Sequence, residues 1–184
     1  MRYLALIIVG VLTVIPATAQ DWITLFDGAN LDNWNKSGDA KFKIVDGAVE
    51  AEGNGTLFTK TSYKDFEITG EVWVNEAANS GIFFRRASVS SSGYEMNIYD
   101  SRPDPKYATG SIVNVASPKT VVKAANKWNT FLIRAQGPRL IVEMNGIQTV
   151  DVQDSQHAEG YIGLQFDPAR GGIAKFRNIK IRPL

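Results

Sequence analysis

Two segments, Asn79-Ser80-Gly81-Ile82-Phe83-Phe84-Arg85 and Gly93-Tyr94-Glu95-Met96-Asn97-Ile98-Tyr99-Asp100, set an arginine, a carboxylate and an amide among aromatic rings. Rings pack against the C–H faces of a sugar while polar groups pair with its hydroxyls, so this combination suits a polyhydroxylated ligand. Read with the two-residue period of a strand, Ile82, Phe84, Tyr94, Met96 and Ile98 form an apolar set, and Phe83, Arg85, Glu95, Asn97 and Tyr99 share the other face. If the Ala87 to Ser92 loop closes a hairpin, Arg85 and Glu95 stand roughly opposite on neighbouring strands. A cross-strand ion pair that merely supports the sheet would look the same. A site is favoured because Asn97 and two aromatics share that face, while the even phase already supplies a core.

Further candidates follow from the same phase argument. In Phe66 to Val74, Glu67, Thr69, Glu71 and Trp73 alternate with Phe66, Ile68, Val72 and Val74. If that strand borders the hairpin, Glu71 adds a second carboxylate and Trp73 a sugar platform; otherwise this is an ordinary solvated face. Two close carboxylates would raise the pKa of one, or could hold a divalent cation, although nothing in the spacing calls for a metal. Gln165 is opposite in phase to Ile162, Leu164 and Phe166, and its amide suits a sugar hydroxyl. Lys60, Tyr107 and the Thr109-Gly110 turn are weaker loop candidates. Asp100 leads into a proline-rich loop, where turn capping is a common role for aspartate.

Composition narrows the function classes. Residues 1–19 have the layout of a signal peptide: Arg2, an apolar Leu4 to Ile15, and Ala17-Thr18-Ala19 as a cleavage site, which predicts export to the periplasm or medium. The apolar run is too short for a membrane span. Without Arg2 the acidic and basic residues balance, which argues against nucleic acid or anionic lipid as the main partner. With no cysteine and one histidine, His157 in a polar loop, there is no disulfide framework and no zinc cluster. No phosphate loop or G-x-S-x-G elbow is present, and no cofactor is called for. Nothing in the pattern specifies an oligomeric state.

The elements that must position these residues read as strands. Short β-branched and aromatic runs recur at Phe42 to Val45, Thr56 to Lys60, Phe66 to Val74, Gly81 to Arg86 and Tyr94 to Tyr99. Others follow at Thr130 to Gln136, Arg139 to Met144, Gln148 to Val152, Gly160 to Phe166 and Ile173 to Arg182. Asn145-Gly146 is a type I′ hairpin pair. The pattern predicts an all-β sandwich over residues 20–184 as one domain, with a helical turn near Leu31 to Trp34.

Trp22-Ile-Thr-Leu-Phe-Asp-Gly28, Leu31-Asp-Asn-Trp34, Tyr63-Lys-Asp-Phe66, Asn79-Ser-Gly-Ile82, Gly93-Tyr-Glu95, Trp128-Asn129, Gly163-Leu-Gln165 and Phe176-Arg-Asn-Ile179 follow one another as in a known family. With Glu71, Arg85, Asp100, Thr109-Gly110 and Asn145-Gly146 between them, the chain resembles the 3-keto-disaccharide hydrolase domain family. The resemblance implies a concanavalin A-like jelly roll of two curved antiparallel sheets, with ligand on the concave one. It also implies cleavage of glycosides already oxidised at C3 of the sugar. That ketone acidifies the C2 proton, so a base can remove it and the enolate can expel the glycosidic oxygen before water adds. On this reading Glu95 or Glu71 is the base and Arg85 holds the enolate. Asn97, Asp100 and Gln165 fix hydroxyls, and Trp73 and Tyr99 contact the sugar. Many members carry a histidine two residues after the glutamine, where this chain has Asp167. The alternatives are a non-catalytic carbohydrate-binding module on the same scaffold, a glycosidase using Glu71 and Glu95, and a polar face that docks another protein.

Overall fold

The computed structural model of the protein describes residues 21–88 and 91–184. The leader expected at residues 1–19 lies outside the described residues. The chain forms β1 (Ile23–Phe26), β2 (Trp34–Gly38), β3 (Lys41–Val45), β4 (Ala48–Glu52), β5 (Gly55–Thr59), β6 (Phe66–Val74) and β7 (Asn79–Arg86). It continues through β8 (Tyr94–Ile98), β9 (Trp128–Gln136), β10 (Arg139–Met144), β11 (Ile147–Gln153), β12 (Tyr161–Asp167) and β13 (Ala174–Pro183).

Local chemistry sets the tight connections. Asp46-Gly47 joins β3 to β4 and Asn145-Gly146 joins β10 to β11, with φ of 50° and 74° in the first turn and 53° and 75° in the second. Both are the paired positive-φ residues of a type I′ turn, whose twist matches the flanking strands. The helical turn expected at Leu31 to Trp34 is instead a reverse turn in which Trp34 N donates to Leu31 O at 2.9 Å. The Trp34 indole then donates to Leu25 O at 2.9 Å, which anchors β2 beneath β1.

Two antiparallel sheets result. The larger runs β11-β10-β9-β6-β13-β4-β3, with β1 also paired to β13; the smaller runs β2-β5-β12-β7-β8. Their inner faces make the core: Phe66, Ile68, Val72, Ile133 and Phe176 from one, Leu57, Ile82, Phe84, Met96, Leu164 and Phe166 from the other, all buried. Phe66 meets Phe84 at 6.5 Å between centroids and Phe166 meets Phe176 at 5.2 Å, each pair taking one ring from either sheet. The sandwich expected from the strand pattern is the fold observed.

One crossover matters for function. β6 and β7 are consecutive in the chain but belong to different sheets, so β6 borders β9 and β13 rather than the β7–β8 hairpin. The conditional placement of Glu71 and Trp73 beside the hairpin therefore fails. Both lie on the outer face of the larger sheet, on the far side of the core from Glu95.

Candidate functional site

The outer face of the smaller sheet collects the polar and aromatic groups. Register places Phe58, Gly163, Phe83 and Glu95 in one row across β5, β12, β7 and β8, and Thr56, Gln165, Gly81 and Asn97 in the next. The two glycines make space in these rows. A Cβ on Gly163 would fall 2.7 Å from the Phe58 ring and 3.0 Å from Phe83, so the two rings converge over it, stacked with centroids 6.2 Å apart. A Cβ on Gly81 would fall 2.9 Å from Glu95 Oε1 and 2.9 Å from Met96 O, so the Glu95 carboxylate leans over the Gly81 backbone. Gly81→Ala is expected to displace that carboxylate and strain the β7–β8 ladder. Turnover should drop more than about tenfold and the urea midpoint should report a loss of about 1–3 kcal/mol.

Glu95 is the chemically unusual member. Burial pushes its carboxyl from 4.5 up to about 7, and the attraction of the Arg86 and Arg102 guanidiniums only partly opposes this. A carboxyl poised there exists in both protonation states at neutral pH, which is what proton transfer needs. Arg86 stacks on Phe83 with its guanidinium carbon 4.3 Å from the ring centroid, and its Nε donates to Ser91 O at 2.8 Å. Phe83, Arg86, Ser91, Ser92, Glu95 and Asn114 line a cleft of about 320 Å³. A neighbouring cleft of about 240 Å³ is lined by Asn79, Tyr99, Arg102 and Asp167. A larger cavity, about 590 Å³, lies between β1 and the segment from Thr59 to Asp65, and includes Lys60. Its acidic side chain, Asp65, is already committed to Arg85 Nη2 and the Gly137 N–H, so we place the site on the sheet.

Arg85 does not project beside Glu95. Its φ of 48° marks a bulge, and the β7–β12 register shifts between Tyr161 and Gly163. The strand phase reverses there: Arg85 turns inward to 1% exposure and Arg86 takes the outer face. Arg85 Nε donates to Lys64 O at 2.8 Å, Nη1 to Gly137 O at 2.8 Å and to His157 O at 3.2 Å, and Nη2 to Asp65 Oδ1 at 3.0 Å. It ties three loops together. His157 belongs to this knot, its ring edge-on to Tyr94 at 4.9 Å.

The other candidates divide. Glu71 pairs with Arg177 and accepts from Asn178 Nδ2 at 3.1 Å, and Trp73 lies under Lys175 Nζ at 5.5 Å, both on the larger sheet. Glu71 and Glu95 therefore cannot form an acid–base pair or a shared cation site. Asn97 is buried with its Nδ2 donating to Tyr107 O. Asp100 accepts from Thr109 Oγ1 at 2.6 Å and from the backbone N of Ala124 and Ala125 at 2.8 and 2.9 Å. These two side chains hold the loop that covers the β8 edge. Gln165 does lie on the site face, its Oε1 buried without a hydrogen-bond partner, and Tyr99 lines the second cleft. Asp167 Oδ2 accepts from Asn79 Nδ2 at 2.9 Å and Oδ1 from Ala169 N at 2.9 Å. Arg86, Arg102, Phe58 and Asn114 escaped sequence reasoning. Arg86 alone left a trace: strict alternation would have buried it with Ile82 and Phe84, a conflict that signals a bulge.

Two packed antiparallel sheets make this fold a jelly-roll β-sandwich. The chain belongs to the 3-keto-alpha-glucoside-1,2-lyase-like domain family, which matches residues 21–182. It is 30% identical over 109 residues to a 3-keto-disaccharide hydrolase of Bacteroides thetaiotaomicron, a match covering 49% of this chain and 38% of that protein. The chain thus spans well under half the length of that curated relative. Among solved structures, a glycosyl-hydrolase-like protein of Parabacteroides distasonis ATCC 8503 superposes with a TM-score of 0.79 at 24% identity, over 89% of this chain and 100% of that one. The carbohydrate-binding module CBM66 of Bacillus subtilis shares the fold at a TM-score of 0.61 and 19% identity, over 90% of this chain and 97% of that one.

Proposed function

We propose that this protein cleaves 3-keto-glycosides by eliminating the glycosidic oxygen and then hydrating the resulting double bond, on the outer face of the smaller sheet. The observation that carries the reading is the half-buried Glu95 carboxyl, which feels the charge of two guanidiniums and lies beside an aromatic pair. The ionised Glu95 takes the C2 proton of the keto-sugar. The electron pair moves toward the C3 oxygen, where the Arg86 guanidinium offers stabilising charge. Collapse of the enolate breaks the C1–O bond, and the proton held by Glu95 is available to the departing oxygen. Water then adds hydroxide to C1 and a proton to C2. One carboxyl with a pKa near the working pH serves as base and then as acid, so no second carboxylate is required. Gln165 Oε1 would accept from a sugar hydroxyl, which gives a buried orphan acceptor its missing donor.

Incubation with 4-nitrophenyl 3-keto-glucoside in D2O tests the reading. Expected are released nitrophenol and deuterium at C2 of the sugar product; cleavage without deuterium at C2 would show direct displacement instead. Since the base must be ionised, kcat/KM should rise with pH, level off above about 7, and fall about tenfold per pH unit below it. A flat profile between pH 5 and 8 would remove Glu95 as base. A binding-only role on the same face is the second reading, favoured by Asp167, whose two oxygens are already committed at the position where the family resemblance implies a histidine. Sugar binding without turnover would select it.

A further inference from the structure

We propose that the ligand carries a negative charge, a carboxylate, and that Arg102 selects for it. This deepens the proposed function and rests on its placement of the site. The argument starts from where arginines find their counter-charges. Arg85 pairs with Asp65, Arg134 and Arg182 with Glu67, Arg139 with Asp151 and Arg177 with Glu71. Among the arginines whose side chains are described, Arg86 and Arg102 have no carboxylate within 4.0 Å, and every Asp and Glu of the chain lies within the described residues. These two are the arginines that flank Glu95.

Both are held by rings rather than by anions. Arg86 stacks on Phe83, and the Arg102 guanidinium carbon lies 5.6 Å from the Tyr99 centroid and 5.3 Å from Tyr107. Stacking fixes a guanidinium plane and leaves its edge N–H groups free to donate. A single enolate oxygen needs one such group, and Arg86, the more enclosed and adjacent to Glu95 in the same cleft, is placed for it. Arg102 is exposed on the rim of the second cleft. Asp167, the acid in that cleft, is engaged by Asn79 and the Ala169 N–H, not by Arg102. Neither guanidinium has a carboxylate within 4.0 Å to neutralise it at close range. A neutral glycoside gives no use to the second one. A guanidinium edge matches a carboxylate through two parallel hydrogen bonds, which points to a uronoside.

The test is equilibrium binding of phenyl glucuronide and phenyl glucoside, each as both anomers, by titration calorimetry. These unoxidised probes need no turnover, so this measurement stands even if the keto-glycoside assay fails. Expected is a glucuronide affinity more than about tenfold above the glucoside at about 20 mM salt, shrinking at about 300 mM. Arg102→Gln should erase the ratio between the two ligands. Arg139→Gln, on the larger sheet, should preserve it. Equal affinities in the wild type, an advantage that survives in Arg102→Gln, or no binding of either ligand would overturn the inference. Both variants alter exposed side chains, and melting curves matching the wild type would establish that they fold.

Discussion

Glu95→Gln is expected to lower turnover of a 3-keto-glucoside by about a thousandfold while making the protein more stable above neutral pH. The two effects have one cause. In the folded chain the Glu95 carboxyl titrates near 7 because burial penalises its charge, whereas the unfolded value is 4.5. Between those values the folded state keeps a proton that the unfolded state has released, so stability falls as pH rises through that window. Above about pH 7 the whole penalty is present. Each pH unit of the window corresponds to about 1.4 kcal/mol, and the substitution should recover about 1–3 kcal/mol at pH 8. At pH 4 both side chains are neutral and the gain should vanish. Urea unfolding of wild type and variant at both pH values, beside the turnover assay, measures all of this. A variant no more stable than the wild type at pH 8 would show a solvated carboxylate, and with it the base assignment would lose its physical ground.

Much of this site was legible in the strands, and its failures have local reasons. The apolar set Ile82, Phe84, Tyr94, Met96 and Ile98 is buried as its phase requires, and Glu95 and Gln165 fall on the opposite face. Two-residue periodicity works until a residue is inserted, and the bulge at Arg85 inserts one. Beyond it every side chain changes face, so strict alternation puts Arg85 on the site face where the structure puts Arg86. Glu71 and Trp73 failed for a different reason. Alternation says which residues share a face of one strand, but not which sheet the strand joins, and the short β6–β7 connection crosses between sheets. The strands β1, β2 and β4 went unread. β2, Trp34-Asn-Lys-Ser-Gly38, is a polar edge strand whose propensity signal is weak. Asn97 and Asp100 share the region of the site, yet pair with the covering loop through contacts between distant backbone groups that no spacing rule encodes.

Exchanging each member of the adjacent arginine pair in turn should separate fold from function. Arg85→Met removes donors from the carbonyls of Lys64, Gly137 and His157 and leaves Asp65 without its cation, all around a side chain 1% exposed. Breaking a buried charged network from one side costs about 3–5 kcal/mol. At this chain length that is a fall in melting temperature of more than about 8 °C. The protein that remains folded should turn over substrate at close to the wild-type rate, because none of these bonds reaches the face that carries Glu95. Arg86→Met should behave in the opposite way. Its guanidinium has one hydrogen bond, to Ser91 O, and a stacking contact that methionine partly replaces, so stability should change by less than about 1 kcal/mol. Loss of charge at the enolate oxygen should lower kcat by about a hundredfold or more. The split is read from melting curves and from kcat measured on the folded fraction below the transition. If Arg85→Met is as stable as the wild type but inactive, the side chain reaches the ligand after all, and the bulge that turns it inward does not exist in the working protein.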